Sequence, residues 1–511
     1  MTLLKQLPQI LREQVGIPAE KRPGLVLTLL GLLMSLLAQT VLTLSTYDEL
    51  SYWDVSNWLK NMGTNSSPLL GLFLYLIAGP LFFLGANRLL HRAVIAEVLV
   101  ATRTPQRPAP RFGFWVTSFG LAALTFYHNL NIYRAGYSNA LEIFLWLLNI
   151  SLFSYTVLSA AGFTLPTLRD WLQRNQHELL GIAILLLGAL LLRTLDLENH
   201  PFAFANDEGE MGKMGLCLLD GTCSTFFIAQ WAFQPTLAFI PTAISVGLLG
   251  NTAFAVRLVS AIIGTLAVLF AYLFTRETFD KQTAWVAAIL AAAFPLHLHF
   301  SRLGFDNIID SLSSALLMWL IFRAVRKGAV VYYLAAGIVA GLCFYTYPGS
   351  RLAPAIAIGS LTWVALRIPG FLRAHWRSLL IFGAAALIVA APIAGYFTVH
   401  PQYFMARLQR ESIFVSGPWQ DQNEVDFTNL AKYITQQIFK SSLVFTTTGG
   451  LLQFFNSPRP YFAPLAAILL MLGFFILLGR LGKIQTLALL AWFWAPVILG
   501  SALTVGAPSH Q

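Results

Sequence analysis

Charge is what this sequence has least of. Asp, Glu, Lys and Arg make up 11% of its 511 residues, against roughly a quarter in a soluble domain, which excludes an ordinary water-soluble globular chain. Cysteine is nearly absent at three residues, and no His/Cys cluster has the spacing of a zinc site. There is no phosphate-cradling glycine loop and no G-x-S-x-G stretch, which removes P-loop nucleotide hydrolysis and nucleophile-elbow hydrolases. The start, MTLLKQLPQILREQVGIPAEKRPG, carries mixed charges and prolines before its first apolar run. It does not read as a cleavable signal but as a cytoplasmic amphipathic lead-in.

What is present is apolar side chain, 57% of the residues. Runs such as 25–44, 143–163 and 179–195 approach or reach the ~20 residues that a bilayer core demands. Lipid cannot satisfy free peptide groups, so these runs are expected to be helical. The net charge of +10 is distributed by loop. Arg88, Arg92, Arg103, Arg107 and Arg111 crowd one connection, and basic clusters recur near Arg169, Arg323, Arg367 and Arg480. Alternate loops are basic, the positive-inside pattern, so the surplus reports topology and anionic headgroups rather than nucleic acid. Alternation gives an all-α polytopic membrane protein of about thirteen spans, with loops 196–252 and 399–460 on the extracytoplasmic side bearing short helices. Within the first of these, QPTLAFIPTAISVGLLGN holds two prolines and is expected to lie along the membrane surface rather than cross it.

Against this background the acids of FANDEGEMGKM stand out. Asp207, Glu208 and Glu210 fall within four positions, a dozen residues past a span, either as a solvated loop or as carboxylates facing a lipid headgroup. A second acidic pair, Asp48 and Glu49, lies in an earlier outer loop and competes with them. In PLHLHFSRLGFDN, His297 and His299 alternate, Arg302 follows, and Asp306 is four residues beyond it. The plain reading is an Arg302–Asp306 ion pair with interfacial histidines; the alternative is an anion clamp, since the guanidinium fork matches phosphate oxygens. In FYTYPGSRLAP, Tyr345 and Tyr347 are either aromatic-belt residues or part of a site, with Pro348-Gly349 turning the chain and Arg351 at headgroup level. Arg257 opens its own span in the same way. Cys217 and Cys223 flank an Asp-Gly turn in CLLDGTC on the oxidising side, where a disulfide is one of two open outcomes. Cys343 sits inside a span as packing.

The order of FANDEGEMGKM, the stretch from QPTLAFIP to SRLGFDN, and FYTYPGSR resembles polyprenyl-phosphate-sugar-dependent glycosyltransferases of the GT-C superfamily. It is most similar to glycosyltransferase family 39, with its dolichyl-phosphate-mannose protein mannosyltransferases and lipid A aminoarabinose transferases. The resemblance covers roughly residues 177–400 and implies a GT-C-like transmembrane core at 177–398. The flanking regions are four spans in 1–176, an extracytoplasmic loop at 399–460 and further spans in 461–511. It also implies Asp207 as catalytic base, with Glu208 and Glu210 orienting hydroxyls. Arg302 and Arg351 would then hold the donor phosphate, aided by Asp306, His299, Tyr347 and Arg257. Two departures from the family pattern are the four spans that precede the core and an end, GAPSHQ, on the outer side, where further spans would be expected.

The partners implied are a polyprenyl-phosphate sugar donor, a protein, lipid or glycan acceptor, and membrane lipids, at a bacterial plasma membrane with the site on its extracytoplasmic face. No cofactor is required. A hard divalent metal on Asp207, Glu208, His299 and Asp306 would be chemically compatible. A transporter or flippase would place ionisable residues within the spans, and the central stretches have almost no Asp, Glu or Lys. A non-catalytic scaffold would leave the outward acids and cations as coincidence.

Overall fold

The computed structural model describes residues 21–44, 68–90, 112–130, 140–162, 168–204, 206–223, 226–416, 427–446, 450–452, 455–457 and 460–504. Nine helices among them are long and apolar enough to cross a membrane, and three shorter apolar ones, Thr236–Leu249, Val330–Tyr345 and Pro464–Leu478, accompany them. The protein is thus an all-α polytopic membrane fold. The described residues do not reach the expected thirteen spans, and proline is one cause. Residues 281–300 divide at Phe294, which the following Pro295 holds extended at ψ 119°, because a proline ring clashes with a helical predecessor.

The chain forms two compact units, Met1–Glu97 with Gly417–Gln511, and Val98–Ser416. In the first, helices Arg22–Leu44 and Pro68–Leu90 pack antiparallel, with Gly31 opposite Phe82 and Gly71 opposite Leu42. Ala38, Leu42, Tyr75, Ile468 and Leu472 form its buried cluster. Tyr75 donates to Gln39 Oε1 at 2.9 Å, and Gln39 donates to the Thr446 carbonyl at 2.9 Å. Helix Phe427–Leu443, a short antiparallel hairpin (Gly450–Leu452 with Phe455–Ser457) and helices Pro464–Leu478 and Ile484–Ala495 complete it.

The second unit carries the candidate site. Its helices are α1 (Phe112–Asn129), α2 (Ala140–Ala160), α3 (Leu168–Thr194), α4 (Asn206–Leu219), α5 (Ile240–Leu249), α6 (Ala253–Thr278), α7 (Lys281–Ala293), α8 (Pro295–Phe300), α9 (Ile309–Lys327), α10 (Val330–Leu342), α11 (Leu352–Arg367), α12 (Phe371–Val399) and α13 (Pro401–Glu411). Local chemistry sets several ends. The Thr252 hydroxyl caps α6 by accepting the Ala255 N–H, the Asp280 carboxylate caps α7 through Thr283 N–H, and Gly328 closes α9 at φ 64°, a left-handed conformation that glycine adopts without a Cβ penalty. Alanines four apart, Ala284, Ala288 and Ala292 of α7, pack with Ala189 of α3 and with Val268 and Tyr272 of α6. A second cluster joins Trp146, Phe227, Tyr345, Ile393 and Tyr396.

TLRDWLQRNQHE reads as a polar connector, yet α3 begins at Leu168 and incorporates most of it. No glycine or proline interrupts the stretch after Pro166, and Glu178 is held by Arg276 at 2.8 Å and by the Tyr272 hydroxyl at 2.8 Å. Residues 236–249 are helical and, at this length, too short for a bilayer core.

Candidate functional site

The site grows from the first turn of α4. Neighbouring helical residues point about 100° apart, so Asp207 and Glu208 diverge, and as first-turn acids both complement the helix dipole. Glu208 turns inward and is completely buried. Its Oε1 accepts from Arg257 Nε at 2.7 Å and from Gly304 N–H at 2.7 Å, and its Oε2 accepts from Arg257 Nη2 at 3.0 Å. Arg257 of α6 is equally buried and also donates to the carbonyls of Leu197, Glu198 and Ala203. One guanidinium therefore ties the segment before α4 to α6. Gly304 permits the approach, since a Cβ there would meet Val256 at 2.6 Å and Glu208 Oε1 at 3.2 Å.

Asp207 stays half-buried. Burial holds its carboxyl above the ordinary aspartate range, Glu210 adds to the rise, and the charges of Arg410 and Arg407 on α13 oppose it. Glu210 itself pairs with Lys213 at 2.5 Å. Asp306 lies within electrostatic reach of Asp207 and Arg407. It opens the turn before α9, and Asp310 follows one helical turn later, which puts both carboxylates on one face. Gln234 Nε2 donates to Asp306 Oδ1 at 3.2 Å, while the buried Asp306 Oδ2 and Gln234 Oε1 have no hydrogen-bond partner among the described residues. Ser350 donates to Asp310 Oδ1 at 2.6 Å. A Cβ on Gly349 would collide with the Asp310 carboxylate, so Pro348-Gly349 presses its backbone against α9. A small, partly open pocket of about 20 Å³ is walled by Met211, Pro241, Ser260, Gly304, Asp306 and Tyr347 among others.

The predicted residues fall into two sets. Asp207, Asp306 and Tyr347 belong to the acid-lined region, and Arg407 lies over the Tyr347 ring at 5.7 Å. The remaining cations are held by other groups. Arg302 does not turn to Asp306. Its Nη1 donates to the Leu192 carbonyl at 2.8 Å, and its Nη2 to those of Leu195 and His200 at 2.7 and 3.1 Å, so it caps the C-terminus of α3 as a cation there should. Arg351 donates to the Phe404 carbonyl at 3.1 Å and stacks between the Phe397 and Phe404 rings. His299 packs edge-on to Phe300, whereas His297 bridges Arg193 at 3.0 Å and Ser311 at 3.3 Å. Cys217 and Cys223 are joined by a disulfide, and Cys343 is free and buried. Asp48 and Glu49 lie outside the described residues. Among the described residues no three His, Cys, Asp or Glu converge on a common metal position. Sequence reasoning missed Gln234, Asp310, Arg407 and Arg410; the spacing of Asp306 and Asp310 was the available signal.

Residues 234–396, which run from Gln234 through α12, match the family model for dolichyl-phosphate-mannose-protein mannosyltransferases. That segment carries the resemblance to the GT-C, family-39-like enzymes. The chain is also similar to three curated relatives. It is 33% identical over 116 residues to the candidate mannosyltransferase YkcB of Bacillus subtilis, which is 22% of this chain and 16% of that protein. It is 26% identical over 222 residues to the undecaprenyl phosphate-alpha-4-amino-4-deoxy-L-arabinose arabinosyl transferase of Pseudomonas paraeruginosa, 41% of this chain and 38% of the relative. It is 28% identical over 181 residues to dolichyl-phosphooligosaccharide-protein glycotransferase 3 of Archaeoglobus fulgidus, 32% and 21% respectively. The similarity thus spans less than two fifths of each of these relatives. No solved structure matches the chain. The family match includes Gln234, Arg302, Asp306, Tyr347 and Arg351, and leaves Asp207 and α13 outside it.

Proposed function

We propose that the protein is a membrane glycosyltransferase that moves a sugar from a polyprenyl-phosphate donor to an acceptor hydroxyl on the extracytoplasmic face of a bacterial plasma membrane, inverting the anomeric centre, with Asp207 as general base. The observation that carries this reading is Asp207 itself. It is a half-buried carboxylate with a raised pKa, held beside two cations and next to a pocket whose wall bears Asp306. The names of the relatives add support, since undecaprenyl and dolichyl carriers are both polyprenyl phosphates.

The chemistry asks for little more. The acceptor oxygen attacks the anomeric carbon as its proton passes to Asp207, and the bond from that carbon to the phosphate oxygen breaks with its electron pair leaving on the phosphate. Polyprenyl phosphate is a stable anion, so no general acid is needed; a base for the acceptor and cations for the developing phosphate charge suffice. A raised carboxyl pKa brings the base nearer the working pH. A single displacement with no covalent sugar intermediate gives inversion. Arg257 and Glu208, bonded to each other, act by positioning the turn that presents Asp207. The acceptor is a protein, lipid or glycan hydroxyl.

The test is an assay of the purified full chain with a panel of radiolabelled polyprenyl-phosphate sugars, reading free polyprenyl phosphate with and without membrane extract. Extract-dependent release from one donor, absent in folded Asp207→Asn, is expected. Release by Asp207→Asn at the unmutated rate would overturn the assignment of the base, and silence from folded protein across the panel would overturn the reaction.

A further inference from the structure

The hydrogen-bonding groups left unused around the pocket are not all of one kind. On the side of Asp306, which lines the pocket, and of Gln234, which donates to it, they are acceptors: Asp306 Oδ2 and Gln234 Oε1 are buried without hydrogen-bond partners among the described residues. A ligand lying against them must bring hydrogen-bond donors, which hydroxyls supply. On the side of α13 the charge is opposite. Arg407 lies over the Tyr347 ring, which also lines the pocket, and its Nε is buried without a hydrogen bond; the Glu411 carboxylate stands off at 3.9 Å. Its charge reaches Asp207, Asp306 and Asp310. Of the cations expected at this position, Arg302 is committed to three backbone carbonyls and Arg257 to Glu208, while Arg351 is held on the Phe404 carbonyl and between two aromatic rings with its Nε and Nη2 unpaired among the described residues.

α13 has a second property. Phe404 and Leu408 are exposed one turn apart, and Phe414 and Val415 beyond the helix end are exposed too, while Tyr403 and Arg407 turn toward the unit. Such a helix suits a bilayer surface, with apolar side chains among lipid and its arginine at headgroup depth.

We propose that Arg407 binds the phosphate of the lipid-linked donor and that the Gln234–Asp306 pair accepts hydrogen bonds from the donor's sugar, so the donor lies with its phosphate at α13 and its sugar against Asp306. This rests on the glycosyltransferase reading and gives it an orientation. A phosphate monoester, a lipid phosphate and inorganic phosphate share the recognising chemistry; the exposed apolar stripe beside Arg407 selects the lipid.

The test is equilibrium binding to the full-length protein in nanodiscs of zwitterionic lipid, with four probes: a short-chain polyprenyl phosphate, its sugar-loaded form, the corresponding polyprenol and inorganic phosphate. Unmutated protein is expected to prefer polyprenyl phosphate over polyprenol. Arg407→Gln should weaken polyprenyl phosphate binding about tenfold, the loss of one charge-assisted hydrogen bond, and leave polyprenol binding unchanged. Arg407→Lys should fall between. Gln234→Leu should keep polyprenyl phosphate binding within about twofold while weakening the sugar-loaded donor. Arg373→Gln on α12 controls for net charge, and thermal melts confirm folding of each variant. If unmutated protein does not distinguish polyprenyl phosphate from polyprenol, the glycosyltransferase reading fails with its donor. If it does and Arg407→Gln retains the full preference, or loses no more than Arg373→Gln, the reading stands and the role of Arg407 is overturned. Equal competition by inorganic phosphate overturns the lipid source, and loss of polyprenyl phosphate binding in Gln234→Leu overturns the orientation.

Discussion

Glu208 and Arg257 meet in the interior with Oε1 2.7 Å from Nε and side chains 0% and 1% exposed. They are 49 residues apart in sequence, and the arginine's remaining N–H groups reach three carbonyls of the segment before α4. The pair is therefore the joint through which α6 sets where Asp207 stands.

Breaking that joint leaves an uncompensated buried charge. Glu208→Gln is expected to destabilise the protein by about 3–5 kcal/mol, read as a lowered melting temperature in detergent, with transfer lost in parallel. Arg257→Lys should not rescue, because an ammonium cannot reproduce the fork that engages both carboxylate oxygens. A Glu208→Gln variant that melts like unmutated protein yet is inactive would move Glu208 from positioning to the reacting atoms.

Asp207 predicts a pH profile. A base works ionised, so kcat/KM should fall as pH drops through its pKa, and burial places that limb above the ~3.9 of a free aspartate. Arg410 and Arg407 lower the pKa, so Arg410→Gln should move the acid limb to higher pH. An acid limb that stays put in Arg410→Gln would contradict the electrostatic link. Asp207→Asn should abolish transfer at every pH, whereas Asp48→Asn should not.

Gly349 faces the Asp310 carboxylate so closely that a methyl group has no room. Gly349→Ala should cost about 1–3 kcal/mol through overpacking and reduce activity by pushing apart the turn bearing Tyr347 and the face bearing Asp306. Gly359, within α11 and with nothing within 4 Å of an added Cβ, is the comparison. Gly359→Ala should be neutral or stabilising by up to ~1 kcal/mol, since alanine is the better helix former. Equal melting shifts for both variants would remove the steric argument.

The helices were legible because lipid leaves the backbone few choices, and the acids of FANDEGEMGKM were legible because charge is so scarce around them. Partner choice was not. Arg302 has Asp306 four residues away, yet its partners are backbone carbonyls 102 to 110 residues away, at and beyond the end of α3, and carbonyls leave no mark in a sequence. Arg257 and Glu208 each looked like a site residue, and only the fold could reveal that they satisfy each other. Arg407 was hidden for the opposite reason. It lies in the segment 399–460, where mixed charges are ordinary, and its distinction is the Tyr347 ring beneath it. Gln234 carries no charge to draw attention, and only the fold shows its Nε2 donating to Asp306 while its Oε1 stays buried and unpaired among the described residues.

The disulfide offers a test that links stability to sidedness. Cys217 and Cys223 close a short loop at the end of α4. In the chain-entropy account a loop this small contributes about 2 kcal/mol, so Cys217→Ser or reductant should lower the melting temperature by a few degrees. Asp207 sits ten residues earlier on the same helix, about 15 Å along its axis, so transfer below the melt should be unchanged. Alkylation and mass spectrometry give the direct reading. Without reductant the denatured chain should take one label, on Cys343, and after reduction three. Disulfides persist on the oxidising side of a bacterial membrane, and α4 carries both the bond and Asp207, so a single label would set the base on the extracytoplasmic face. Three labels without reductant, from protein isolated under conditions that preserve disulfides, would take away both the bond and that argument for the site's orientation.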